Sequence, residues 1–254
     1  MILAVLQARM GSVRLPGKVM KPILGTPMLF LEIERIRRAR LLDALVVATT
    51  VDVSDDMLAD ECVRRDVAVY RGSVSDVLDR YVKAARDLKP VAVVRLTGDC
   101  PLIDWTVIDR VVQTYLDGNF EYVANVDPPT YPDGLDVEII DLAALHVVEA
   151  EARLASEREH VTTYIRKYPG RFRAANVRSP VDLSAMRWTV DNPEDFELVR
   201  AIYEALYPSN PAFETKDVLA FLKEHPELLR LNQHMVRNAG LLKSLEADKR
   251  SFGL

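Results

Sequence analysis

Cysteine is scarce in this chain: Cys62 and Cys100 are the only two in 254 residues. Two thiols make no disulfide framework and suit a reducing compartment. Histidine is nearly as scarce, and His146 and His225 show no ligand spacing, so zinc is not indicated. No apolar run approaches the roughly 20 residues that a membrane span needs. Nor does a charged segment precede an apolar one at the N-terminus, as in a signal peptide. A cytoplasmic protein without membrane contact is expected. Positive charge is not in excess either: the net charge is −5, which argues against a general nucleic-acid binder. Repeats, low-complexity tracts and linkers are also missing. The length suffices for a well-buried core, and one domain is expected over 1–254. It would carry a small insertion at about 127–177 and a helical C-terminal tail at about 210–254.

What is present is alternation. Apolar runs predict strands at Ile2–Gln7, Ala44–Thr49, Ala68–Tyr70 and Ala92–Thr97. Between them Met28–Arg40, Asp55–Arg65 and Ser75–Leu88 carry apolar residues at helical spacing. Such alternation implies an α/β fold, a parallel sheet with helices on both faces. Further on, helices are expected at Asp104–Leu116, Leu142–Ala152, Ser156–Tyr168, Glu194–Leu206, Thr215–His225 and His234–Lys249. Strands are expected at Tyr122–Asn125, Asp136–Ile140, Phe172–Val177 and Arg187–Val190. Ligands of such folds bind beyond the carboxyl ends of the strands. Two segments fall there: the loop after Leu6 and the Thr97-Gly98-Asp99 turn.

The first is the most informative stretch of the chain. Leu3–Leu6 is apolar, and Gln7-Ala8-Arg9-Met10-Gly11-Ser12-Val13-Arg14-Leu15-Pro16-Gly17-Lys18 follows at once. Glycine lets backbone amides approach a ligand closely. Arginine grips phosphate by its planar fork and lysine as a mobile point charge. Locally concentrated cations on an acidic protein suit a small anionic ligand better than a polymer. The bland alternative is a solvated basic loop. The spacing is neither a Walker P-loop, since Val19 follows Lys18, nor G-x-G-x-x-G.

This stretch resembles the (Q/P)-A-R-x-x-S-x-R-(L/I)-P-G-K signature of sugar nucleotidyltransferases, specifically the cytidylyltransferases that activate eight- and nine-carbon acidic sugars. Gln7, Ala8, Arg9, Ser12, Arg14, Leu15, Pro16, Gly17 and Lys18 all match. The likeness is greatest to the spore-coat polysaccharide biosynthesis branch and runs from Met1 to at least Leu206. It implies a Rossmann-like nucleotide-diphospho-sugar transferase fold, a CTP substrate, Mg2+ and a homodimer. Leu6, Gln7, Ala8, Arg9, Gly11, Ser12, Arg14, Lys18, Thr97 and Asp99 would then bind the nucleotide, with Arg9, Arg14, Lys18 and Asp99 as the catalytic set.

Asp99 alone reads as a turn residue after glycine; a carboxylate at a strand's carboxyl end can also meet Mg2+ held by phosphates. The segment Thr97-Gly98-Asp99-Cys100-Pro101-Leu102-Ile103 resembles the family segment whose aspartate binds magnesium. Asp191, ahead of Pro193, reads by itself as a helix N-cap, as does Asn192. The family's matching V-D-x-P-E-D segment makes Asp191 the second magnesium carboxylate, with Glu194 and Asp195 as favourable charges at the helix start. Cys100 sits beside Asp99, but no histidine lies near it in sequence, and a small buried thiol is its commoner role.

For the sugar, Asp136 and Glu138 alternate with Leu135 and Val137, so on a strand both carboxylates face one side. Together with Arg158, Glu159 and His160 they resemble the spore-coat branch. Arg158 would meet a substrate carboxylate and His160 would bind hydroxyls; a salt-bridged surface is the alternative. The polar segment Leu231–Asn238 reads either as part of a plain end helix or as a cover over the site or a dimer partner. The expected reaction transfers CMP from CTP to a sugar acid and releases pyrophosphate. A glycosyltransferase using a nucleotide sugar should show D-x-D, and Gly98-Asp99-Cys100 lacks the second aspartate. A non-catalytic nucleotide-binding subunit should have lost Lys18, Asp99 or Asp191, and all three are present.

Overall fold

A computed structural model describes residues 1–252. The chain begins with β1 (Ile2–Gln7), the small hairpin β2 (Pro22–Ile23) and β3 (Thr26–Pro27), and α1 (Met28–Ile36). Next come β4 (Ala44–Thr50), α2 (Asp56–Arg64), β5 (Ala68–Gly72), α3 (Val77–Arg86), β6 (Ala92–Thr97) and α4 (Trp105–Asp117). The middle of the chain holds β7 (Tyr122–Ala124), β8 (Glu138–Asp141), α5 (Leu142–Glu151), α6 (Ala155–His160), α7 (Thr163–Lys167) and β9 (Ala174–Asn176). Helices α8 (Pro193–Leu206), α9 (Thr215–Glu224), α10 (Pro226–Leu229) and α11 (Ala239–Phe252) close it.

Seven strands form one sheet in the order β5-β4-β1-β6-β8-β7-β9. Only β8 runs antiparallel to its neighbours, so the sheet is mostly parallel. Alternate residues of β1 feed two cores. Ala4 and Leu6 meet α1, α4 and α8 on one face; Leu3 and Val5 meet α3, α5 and α7 on the other. Burial on both faces explains why β1 and, Arg95 apart, β6 read as apolar runs. The chain builds outward from β1 through β4 to β5, then crosses back to place β6 on the other side of β1. That reversal opens a crevice at the carboxyl ends of β1 and β6.

Three expectations are corrected. Strands β8 and β9 lie within residues 127–177, so the segment expected as an insertion supplies two strands of the main sheet. The expected strand at Arg187–Val190 joins no ladder beyond a single bridge between Asp133 and Arg187. Its amides are claimed by two loops instead: Trp188 and Thr189 donate to the Asp133 carbonyl, and Val190 donates to the Asp99 carbonyl at 2.7 Å. The helix expected over Ser156–Tyr168 is split at buried Val161, which has φ 55°.

Gly134 sits in the loop that this segment grips. Its φ is +110°, and a Cβ there would lie 2.5 Å from the Thr189 amide nitrogen. Both backbone conformation and space demand glycine. Gly134→Ala should therefore destabilise the fold by at least about 2 kcal/mol, read as a lowered urea midpoint at unchanged slope.

Candidate active site

The basic loop is held rigidly at its base. Asp55, at the entry to α2, accepts from the Met10 amide at 2.7 Å and from Thr50 at the end of β4. The Ser12 and Gly17 amides both donate to the Met10 carbonyl, curling the loop back on itself. Gly17 adopts φ 67°, a left-handed turn that glycine takes without strain, and it aims Lys18 inward. In register, Gln7 of β1 faces Thr97 of β6, and the Gly98 amide donates to the Gln7 carbonyl at 2.7 Å. The loop and the Gly98–Asp99 turn thus leave the sheet side by side. A Cβ on Gly98 would lie within 3 Å of Leu29 and Ala8, so only glycine permits this approach.

Lys18 is 8% exposed. Its Nζ donates to Asp99 Oδ2 and Asp191 Oδ1, both at 2.9 Å, and to the Val190 carbonyl at 2.7 Å. Arg14 reaches Asp191 Oδ2 at 2.8 Å, and Arg187 reaches the same oxygen at 2.9 Å. Four of the residues singled out from sequence therefore meet in one cluster. Asp191 does not cap α8. Asn192 is the N-cap, and Asp195, at the third helical position, accepts from the Asp191 and Asn192 amides in a capping box, which leaves the Asp191 carboxylate facing the crevice. Asp195 is itself buried against Arg187 and Asn232, a structural anchor rather than a solvated charge at the helix start.

Charge coupling follows from this geometry. Burial opposes ionisation of Asp191, but Lys18, Arg14 and Arg187 outweigh it and hold its pKa down to about 2. Burial likewise disfavours the Lys18 ammonium, yet Asp99 and Asp191 raise its pKa on balance. Glu32 lies fully buried behind the turn on α1, accepting from the Cys100 amide at 3.2 Å. Burial and then Asp99 push its carboxyl well above the usual carboxylate range. Burial, Asp99 and Glu32 likewise raise the Cys100 thiol well above its ordinary range, which disfavours the nucleophilic thiolate.

A cavity of about 220 Å³ opens beside the cluster. Arg14, Thr97, Asp99, Cys100, Asp136, His160, Arg187 and Asp191 line it, together with Arg95, Asp133, Thr189 and residues 238–241. A larger groove of about 420 Å³ between α4, α9 and residues 179–183 contains none of the sequence-predicted site residues. Of the nucleotide-side residues, Leu6 and Ala8 are buried supports, Gln7 is half-buried, and Arg9 and Gly11 are exposed on the loop.

The sugar-side residues separate. Asp136 precedes β8 and lines the cavity, whereas Glu138 is 3% exposed and neutralised by Arg95 at 2.5 Å and by the Tyr122 hydroxyl. The two do not form the expected pair facing a ligand. Arg158 is spent on Asp76 at 2.5 Å and on the Glu149 carbonyl, and neither it nor Glu159 lines the cavity. His160 does, and burial together with nearby Arg95 lowers its pKa to about 4, leaving it neutral at pH 7.

Arg95, Asp133, Arg187 and residues 239–241 were not singled out from sequence, whereas Asn238 ends the Leu231–Asn238 segment read as a cover over the site or as part of an end helix. Arg95 carried a signal, a lone cation inside the apolar run of β6. Arg187 carried a weaker one beside Trp188, and Glu32 stands alone on the apolar face of α1.

A mostly parallel sheet with one reversed strand carries, at its switch point, paired carboxylates bound to a cation from a basic loop, and the fold is that of the nucleotide-diphospho-sugar transferases. The chain belongs to the cytidylyltransferase family, which matches residues 3–239. It is 33% identical to the spore coat polysaccharide biosynthesis protein SpsF of Bacillus subtilis (strain 168), over 89% of this chain and 95% of that one. It is 35% identical to the 3-deoxy-manno-octulosonate cytidylyltransferase of Anaeromyxobacter sp. (strain Fw109-5), over 53% of this chain and 54% of that one. A solved cytidylyltransferase from Leptospira borgpetersenii serovar Hardjo-bovis (strain JB197) superposes with a TM-score of 0.86 at 32% identity, covering 92% of this chain and 98% of that one.

Proposed function

We propose that the protein transfers CMP from CTP to a sugar acid, in the cytoplasm and as a homodimer, for surface polysaccharide or glycoconjugate synthesis. The observation that carries this reading is the convergence of Lys18, Asp99 and Asp191 where β1 and β6 end. Arg9, Arg14 and Lys18, with the amides near Gly11 and Ser12, would take the triphosphate. Arg14 and Lys18 give up carboxylate partners for phosphate oxygens as they do so. The sugar hydroxyl attacks the α-phosphorus, forming the new O–P bond while the bond from the α-phosphorus to the α,β-bridging oxygen breaks, pyrophosphate leaves with that oxygen, and the hydroxyl proton passes to water. Lys18 neutralises charge gathering on the α-phosphate and leaving group, and the rest of catalysis is positioning.

Asp99 and Asp191 fit Mg2+. Their oxygens and the Val190 carbonyl already converge on one positive charge, and an all-oxygen donor set suits a hard cation. No group of three or more His, Cys, Asp or Glu side chains able to hold a metal occurs among the described residues, so phosphate oxygens and water would complete the shell. When bound there, Mg2+ would withdraw charge from the α-phosphate. On the acceptor side, Arg95 Nε has no hydrogen-bond partner among the described residues. Arg95 lines the cavity and Arg158 does not, so Arg95, though paired with Glu138, replaces Arg158 as the candidate cation for the sugar's carboxylate.

Pyrophosphate release with CTP, Mg2+ and a panel of eight- and nine-carbon sugar acids tests the reaction; no release with any of them overturns it. The nucleotide is tested separately. Saturating CTP with Mg2+ should stabilise the fold by about 2–3 kcal/mol and raise the melting temperature more than ATP, GTP or UTP. Equal shifts for all four would remove the case for cytidine.

A further inference from the structure

The tail does more than end the chain. Asn232 is buried, donating to Asp195 Oδ1 at 2.8 Å and to the Arg187 carbonyl at 3.0 Å. Arg237 then donates to Asp136 at 2.6 Å and to the Tyr131 carbonyl at 3.0 Å. Beyond it α11 begins, and Ala239, Gly240 and Leu241 line the cavity alongside Arg95 and His160. One turn later Ser244 Oγ bonds His160 Nε2 at 3.1 Å and Glu159 at 2.8 Å. Buried Asp248 accepts from the Ser156 amide. Asp136, Glu159 and His160, three residues of the acceptor side, are thus all engaged by one segment. The family match ends at residue 239, where this helix starts.

We infer that the first turn of α11 forms the acceptor-side wall of the catalytic cavity and sets which acceptor fits. The inference rests on the transferase reading for the acceptor's identity, a polyhydroxylated sugar acid. The wall itself rests on the contacts of the tail. Arg237 and Ser244 hold the helix on either side of that turn, so the cavity's shape there is decided by residues at the end of the family match and just beyond it. A wall built this way acts on the acceptor and leaves nucleotide binding to the loop at Arg9–Lys18.

Gly240 gives the direct test. A Cβ there would meet nothing within 4 Å, and phenylalanine forms helix more readily than glycine, so Gly240→Phe should fold. With CTP and 3-deoxy-manno-octulosonate or N-acetylneuraminate, the variant should raise the acceptor KM at least tenfold while the CTP Kd moves less than twofold. An unchanged acceptor KM, or an equal loss of CTP affinity, overturns the wall. Should the wild type release no pyrophosphate with either acid, the transfer reading fails and the wall is judged without turnover. Cys100 lines the cavity, whereas Cys62 is buried on α2 away from it. Opening the latch with Arg237→Gln and Ser244→Ala should speed iodoacetamide labelling of Cys100 at least tenfold relative to Cys62. Equal rates in wild type and variant overturn the wall in that case.

Discussion

Replacing Lys18 by methionine lowers kcat by about a hundredfold or more, with a smaller change in CTP affinity. The size is that of one lost charge contact in the transition state. Charge accumulates on the α-phosphate and departing pyrophosphate only as the bond breaks, so the ammonium contributes more to rate than to ground-state binding. The variant also pays in stability. Lys18 bridges two carboxylates, and deleting one partner of a buried pair costs about 3–5 kcal/mol. Here Asp99 and Asp191 keep about a quarter of their side-chain surface exposed, and Asp191 retains Arg14 and Arg187. A loss of about 1–3 kcal/mol is expected. Pyrophosphate release at saturating CTP, calorimetric CTP binding and a melting curve separate the two effects. Weakened binding with unchanged kcat would make Lys18 a tether and no more.

Asp99→Asn and Asp191→Asn should each cut turnover by about a hundredfold or more, because an amide is a weaker ligand and a weaker counter-charge than a carboxylate. The Mg2+ concentration for half-maximal rate should rise with it. For Asp191 a second signature follows from its depressed pKa. A carboxylate whose folded pKa lies below its unfolded value stabilises the fold above about pH 4, and that contribution fades as the pH falls toward about 2. Asp191→Asn should therefore lose stability at pH 7 and little near pH 2. Near-normal turnover in Asp191→Asn would sink its role at the metal, and capping could not rescue the assignment, since Asn192 is the N-cap of α8.

Legibility from sequence followed the range of the interaction. The strands at Ile2–Gln7 and Ala92–Thr97 match the structure to the residue, because burial on both faces writes itself as a continuous apolar run. The reversed β8 was not legible as reversed, since a short strand carries no mark of its direction. The stretch at Arg187–Val190 has the β-branched and aromatic residues of a strand, yet its partners are loops. Arg158 and Arg95 show the same divide at the site. In sequence the exposed-looking Arg158 seemed free to bind a substrate and Arg95 was hidden in a strand, but tertiary contacts pair Arg158 with Asp76 and set Arg95 at the cavity.

The sequence by itself determined the layered α/β architecture and the basic loop, because each is a local pattern, apolar periodicity in one case and clustered cations with glycine at a tight turn in the other; the two aspartates read locally as a turn and a helix cap, and only the family resemblance marked them. Only the tertiary structure decided that Lys18 joins Asp99 to Asp191, that Asn192 and not Asp191 caps α8, and that the tail reaches the cavity. Those outcomes depend on which charges approach within hydrogen-bond distance once distant segments are packed together. Periodicity along the chain carries no record of that choice.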